Sequence, residues 1–151
     1  MQESKALYII VEGKTDAQIL HTLLDCRQYE HVYHIPVGGY GNMSSTVTTI
    51  RLLKIYKPLA DKILVVFDSD STKKDVIEDR LATMRYLTNA DFDDRIGVFC
   101  FVPDIEGALF PNHYPKRNGI TKDLVQYMEE HIEGLREKDE IKKIQTFVSG
   151  K

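Results

Sequence analysis

The chain has 151 residues, the size of one domain rather than two. At 42% hydrophobic and 28% charged it has an ordinary globular composition, which excludes disorder, collagen-like repeats and coiled coil as overall descriptions. The formal charge of −3 argues against a broad basic surface for nucleic acid.

Three short segments are apolar and rich in β-branched residues: Leu7–Val11, Ile63–Phe67 and Ile96–Val102. Runs of this length, bounded by turn residues, suit strands buried on both faces. A fourth, His31–Val37, is more polar and carries Pro36, which places it at a sheet edge. Helical patterns lie between the strands. Thr15 followed by Gln18 has capping-box spacing, with Ile19, Leu20, Leu23 and Leu24 as the apolar stripe behind it. Asn42 can cap a second helix bearing Val47, Ile50 and Leu53, which Pro58 stops. Val76, Ile77, Leu81, Met84 and Leu87 make a third. This alternation predicts an α/β fold, with right-handed crossovers and a four-stranded, mainly parallel sheet sandwiched by helices. A short segment around Glu106–Phe110 and a Pro/Asn/Gly-rich loop, Pro111–Gly119, come next. Two amphipathic helices follow, Thr121–Leu135 and Lys138–Val148, whose apolar stripe must cover either the core or a partner. Residues 1–110 thus read as the main domain and 111–151 as a loop and helical extension packed on it.

The two cysteines, Cys26 and Cys100, form no CxxC pair, so a disulfide framework or zinc ribbon is not expected and a reducing, cytoplasmic setting is. The N-terminus lacks the layout of a signal peptide. No apolar run approaches the roughly 18–20 residues of a membrane span.

In a sheet of this kind, ligands sit beyond the carboxyl ends of the strands, where the winding reverses. The residues there are Glu12-Gly13, Gly38-Gly39, Asp68-Ser69-Asp70 and Pro103-Asp104-Ile105-Glu106. Three of the four ends carry carboxylates. Asp68 and Asp70 can aim their oxygens into one crevice, where a hard cation such as Mg²⁺ would offset their repulsion. If the first and third strands are neighbours, Glu12 faces them, and Glu106 adds a further carboxylate. Asp16 lies in a first helical turn, where it also suits the helix dipole.

Ile-Ile-Val-Glu-Gly-Lys-Thr-Asp (9–16), Val-Gly-Gly-Tyr-Gly-Asn (37–42) and Val-Val-Phe-Asp-Ser-Asp (65–70) together resemble the Toprim domain. This is the metal-binding catalytic fold of topoisomerases, bacterial-type primases, recombination mediators and several nucleases. Pro-Asp-Ile-Glu-Gly-Ala-Leu-Phe (103–110) resembles the corresponding part of the Toprim nuclease domain in OLD-family (overcoming lysogenization defect) endonucleases. The resemblance covers about the first 110 residues. It implies that Glu12 is a general acid/base or metal ligand and that Asp68 and Asp70 hold Mg²⁺ or Mn²⁺. In the nuclease branch two ions act on a phosphodiester, and Glu106 and Asp16 would complete that site. DNA ranks ahead of RNA as the substrate. OLD-like proteins usually carry an ATPase in the same chain; none fits here, so a separate ATPase subunit, in phage defence, is an expected partner. A homo-oligomer is left open. The alternative within the family is a partner-dependent or non-catalytic binding module.

Other motifs compete. Gly13-Lys14-Thr15 looks like the end of a Walker loop, but Tyr8 stands where its upstream glycine belongs. Lys14 remains a candidate phosphate contact. Gly38, Gly39 and Gly41 precede a helix and could let backbone N–H groups hold a phosphate, or simply make a tight turn. Asp68-x-Asp70-x-Thr72 also matches the opening of haloacid-dehalogenase-like phosphatases, where the first aspartate is a nucleophile; that reading leaves Glu12 unexplained. His21, His31, His34, His113 and His131 show no ligand spacing, and His31 and His34 should face opposite sides of their strand. Tyr114, Lys116 and Arg117 form a small basic patch on a polar loop. Taking Glu12, Asp16, Asp68, Asp70 and Glu106 as one crevice leaves the rest of the chain net positive, so the acidic total does not exclude a nucleic-acid substrate.

Overall fold

A computed structural model describes residues 5–38, 42–56, 62–110 and 122–150. Gly39, Gly41, Pro58 and the loop bearing Tyr114, Lys116 and Arg117 lie outside them. Four strands, β1 (Ala6–Val11), β2 (His31–Pro36), β3 (Lys62–Asp68) and β4 (Ile96–Phe101), form one sheet in the order β2-β1-β3-β4. Every pairing is parallel. The first three helices are α1 (Lys14–Leu23), α2 (Met43–Tyr56) and α3 (Lys74–Thr88). Four more follow: α4 (Ile105–Leu109), α5 (Lys122–Glu130), α6 (Ile132–Arg136) and α7 (Asp139–Ser149). This is a Rossmann-like α/β fold, as the strand–helix alternation predicts.

Side chains alternate across β1 and β3 and so build two cores. Leu7, Ile9, Val11, Leu64 and Val66 face α1 and the C-terminal helices. Tyr8, Ile10, Ile63, Val65 and Phe67 face the layer made by α2 and α3. This double burial is why both strands read as unbroken apolar runs. The β2 strand alternates between exposed and partly buried positions, as befits an edge. His31 and Tyr33 lie on one face, with Tyr33 stacked on Tyr8 at 5.1 Å. His34 is on the other.

The C-terminal helices cover the core. Leu124, Met128, Leu135, Ile141, Ile144 and Val148 are buried in the cluster shared with α1. Polar ties fix the contact. The Tyr29 hydroxyl donates to the Val148 carbonyl at 2.6 Å, and Arg136 donates to the Leu23 carbonyl at 3.0 Å. The expected single helix over 121–135 is interrupted at His131, where that residue's backbone N–H and its ring nitrogen both turn to the Tyr127 carbonyl. On β4, Gly97 makes room for α7: a Cβ there would lie 2.8 Å from the Phe147 ring. Gly97→Ala should therefore lower unfolding stability by about 1–2 kcal/mol, as overpacking does, measured by denaturant titration. An unchanged midpoint would mean that Phe147 swings aside freely.

The start of α1 differs from the expected cap. Gly13, not Thr15, is the capping position, and Asp16 reaches back to the Gly13 N–H at 3.3 Å. The strand ends at Val11 and the turn is only two residues long, so Thr15 falls inside the helix.

Candidate metal centre

Because β1 lies between β2 and β3, the chain leaves β1 in one direction and returns in the other. The winding reverses between β1 and β3, and their carboxyl ends open onto one crevice. Glu12 follows β1 directly, and Asp68 is the last residue of β3. Asp16 enters from the first turn of α1. One carboxylate oxygen from each of the three lies within 4.8 Å of the others. An octahedral ion with oxygens at about 2.0–2.1 Å spans ligand pairs within that separation.

Two of the three carboxylates are held by backbone. Asp68, with 9% of its surface exposed, accepts a hydrogen bond from the Ile105 N–H at 3.0 Å. Asp16 is held by the Gly13 N–H. Glu12 is placed through its own carbonyl, which accepts from the Gly38 N–H at 2.9 Å. Gly38 adopts φ +89 with the Asn42 side chain beneath it, so a glycine is required at this turn. Glu12 Oε2 is buried and has no hydrogen-bond partner.

Burial and mutual repulsion favour the protonated forms of two of the carboxylates. Burial pushes the Asp68 carboxyl up to about 9, helped by its hydrogen bond to Glu12 and by the charges of Asp16 and Glu12. Burial also lifts Asp16 to about 6, with Glu12 as the next contributor and Glu106 and Asp104 adding to it. A bound divalent cation would reverse this logic by favouring the ionised forms. Three converging carboxylates form a hard oxygen donor set, and the orphaned Glu12 oxygen is the atom a cation would satisfy. The residues fit Mg²⁺ or Mn²⁺.

Comparison with family models, with curated proteins and with solved structures finds no match.

The other sequence candidates are placed differently. Glu106 is partly buried in the first turn of α4, where its charge acts on Asp16. Asp70 stands apart from the three-carboxylate group. It is exposed, with φ +54, and its N–H donates to the Pro103 carbonyl at 2.8 Å. The expectation that Asp68 and Asp70 aim into one crevice assumed that the strand continues. The strand stops at Asp68, and the left-handed turn takes Asp70 out of register. Neither aspartate caps α3, whose capping position is Lys73. Lys14 is exposed at the start of α1.

Two contributors to the centre carry no signal in the sequence. The Ile105 N–H, at the start of α4, orients Asp68. Arg80, well inside α3, reaches back to the Ser69 carbonyl beside Asp68. His21 and His34 meet edge to face at 5.5 Å between α1 and β2. The His34 Nε2 is buried without a partner, and burial, then the charge of His21, lowers the pKa of His34. Both cysteines are free; burial first, then Asp68, pushes the Cys100 thiol up to about 11. No helix among the described residues is long and apolar enough to cross a membrane.

Proposed function

We propose that this chain is a metal-dependent phosphodiesterase acting on nucleic acid, a nuclease of the Toprim type closest to the OLD branch. The observation that carries the reading is the convergence of Glu12, Asp16 and Asp68 at the β1/β3 switch point, with one buried oxygen unsatisfied. These are three of the residues to which the family resemblance assigns metal or acid/base roles. Mg²⁺ or Mn²⁺, when bound, supplies Lewis acidity and a water of lowered pKa. Glu12, Asp16 and Asp68 would hold the first ion. Glu106 and Asp104, whose charges already act on Asp16, would face a second. The Ile105 and Gly13 N–H groups fix two of the carboxylates, so the ligand set is formed before substrate arrives.

DNA ranks ahead of RNA as substrate, and the cytoplasm is the compartment. The net charge of −3 favours a partner, a separate ATPase subunit, that adds basic docking surface. The phosphatase reading is weaker because it needs the second aspartate beside the first, and Asp70 lies outside the three-carboxylate group.

Nicking of supercoiled plasmid in Mg²⁺ and in Mn²⁺ tests the proposal. Wild type should nick in either ion and stop in EDTA, and Asp68→Ala should lose at least about 10²-fold in rate, as first-contact groups do. A wild type that cuts no better than Asp68→Ala, alone and with a candidate ATPase, rejects the nuclease reading.

A further inference from the structure

The short helix α4 has two sides. Its N-terminal turn carries Glu106, behind Asp104, whose side chain caps the helix by accepting from the Gly107 N–H at 2.6 Å. Its remaining residues, Gly107–Leu109, and Phe110 just after them wall an open cleft of about 410 Å³, within the range of small-ligand sites. The facing wall comes from α5, α6 and the residue just before α7. There Tyr127, His131, Gly134 and Lys138 line the cleft.

These residues form an aromatic shelf. The Tyr127 and His131 rings are stacked, with centroids 4.2 Å apart and planes 19° from parallel. Phe110 meets Tyr127 edge-on at 5.6 Å. The His131 Nδ1 lies 3.0 Å from the Tyr127 carbonyl, so it carries the proton in the neutral ring and leaves Nε2 as an acceptor. Lys138 adds a cation at the end of the shelf.

The two glycines of the cleft have different causes. Gly107 is accounted for by the cap, since a Cβ there would lie 2.9 Å from the Asp104 oxygen. Gly134 has no such cause. Nothing lies within 4 Å of where its Cβ would be, and its φ is not positive. A helical glycine costs about 1 kcal/mol relative to alanine. What it provides here is an open floor beside the stacked pair.

We infer that this cleft holds one nucleobase of a single-stranded nucleic acid whose phosphodiester lies at the carboxylate centre. A planar aromatic shelf, an imidazole acceptor and a lysine match a base with its adjoining phosphate. The spacing suits one strand, because α4, which links the two sites, has five residues and so is roughly 7 Å long. A base seated there must be unpaired, which makes single strands or frayed ends the substrate class. The inference rests on the nucleic-acid reading above and narrows it.

Fluorescence anisotropy with a labelled eight-nucleotide single strand, in Ca²⁺ rather than Mg²⁺, tests it against a duplex of the same sequence. Gly134→Leu fills the floor from a position with no internal neighbour, and His131→Ala removes an exposed ring. Each should weaken single-strand binding roughly 5- to 100-fold, the range for one stacked base, and leave duplex binding unchanged. Asp68→Ala should abolish cleavage and keep the single-strand preference. If both cleft variants bind the single strand as wild type does, the inference is overturned, and plasmid nicking by wild type would still uphold the nuclease reading. If the cleft variants lose binding but wild type never cuts, the base site stands and the nuclease reading falls.

Discussion

Divalent cation should stabilise this protein more and more as the pH rises, and Asp68→Asn should remove most of that dependence. The sign follows from where the protons sit. The Asp68 carboxyl has its native pKa raised to about 9, and Asp16 to about 6, from an ordinary value of 3.8 for each. A carboxyl raised on folding holds its proton more tightly in the native state. Its contribution is intact below the ordinary value and is lost as the pH climbs through the native one. Without cation, therefore, stability should fall from about pH 4 to about pH 9, Asp16 acting in the lower part of that window and Asp68 across all of it. Cation favours the ionised carboxylates, so its effect grows over the same range. At a hundred times its Kd an ion that binds only the native state adds about 2.7 kcal/mol.

Asparagine at position 68 keeps an oxygen for the Ile105 N–H and cannot ionise, so it carries no proton-uptake cost on folding. In EDTA at pH 8, Asp68→Asn should be more stable than wild type by roughly 1–3 kcal/mol. It should gain little from Mn²⁺. Thermal unfolding at pH 5 to 9, in EDTA and in Mn²⁺, reads both effects. Wild-type stability that stays flat with pH in EDTA, or an Asp68→Asn protein that Mn²⁺ stabilises as strongly as wild type, would be incompatible with this centre.

Parts of this centre are legible in the sequence for a physical reason. A strand covered on both faces leaves a continuous apolar run, so the ends of β1 and β3, and with them Glu12 and Asp68, can be located without coordinates. Two crossovers of the same hand, one to each side, make β1 and β3 neighbours, and the facing of Glu12 and Asp68 follows. Asp70 was not legible, because the period of two that pairs i with i+2 holds only while the strand continues. The extended backbone breaks at Asp70, which is left-handed and whose N–H donates to the carbonyl of Pro103, 33 residues away in sequence. The cap of α1 fails for a similar reason. Thr15 and Gln18 have the right spacing, but the turn length after β1, not the local pattern, decides which residue is Gly13's neighbour in the cap. Contacts between α1 and β2, such as His21 with His34, join elements whose relative placement is a tertiary outcome.

Asp16→Asn should cost far more activity than Asp70→Asn, although the sequence ranks the two aspartates the other way. Asp16 contributes an oxygen within 4.8 Å of those of Glu12 and Asp68, whereas Asp70 is exposed and outside that group. Asparagine tests the charge without disturbing either backbone. At 70 it tolerates the left-handed conformation nearly as well as aspartate does. At 16 it can still accept from the Gly13 N–H, so the start of α1 is preserved. Losing a direct ligand from a preorganised site should lower the Mn²⁺-dependent nicking rate by roughly 10²- to 10³-fold. Losing the exposed charge at Asp70 should change it by less than about tenfold, the lower end for groups that act on a metal only through its surroundings. Initial rates with saturating Mn²⁺, together with the Kd for Mn²⁺ from calorimetry, separate the two cases. Equal losses at 16 and 70, with equal weakening of Mn²⁺ affinity, would mean that the segment after β3 refolds around the ion and brings Asp70 into the ligand set. The Asp70 N–H to Pro103 bond would then have to break on binding, and amide exchange at Asp70 would report it.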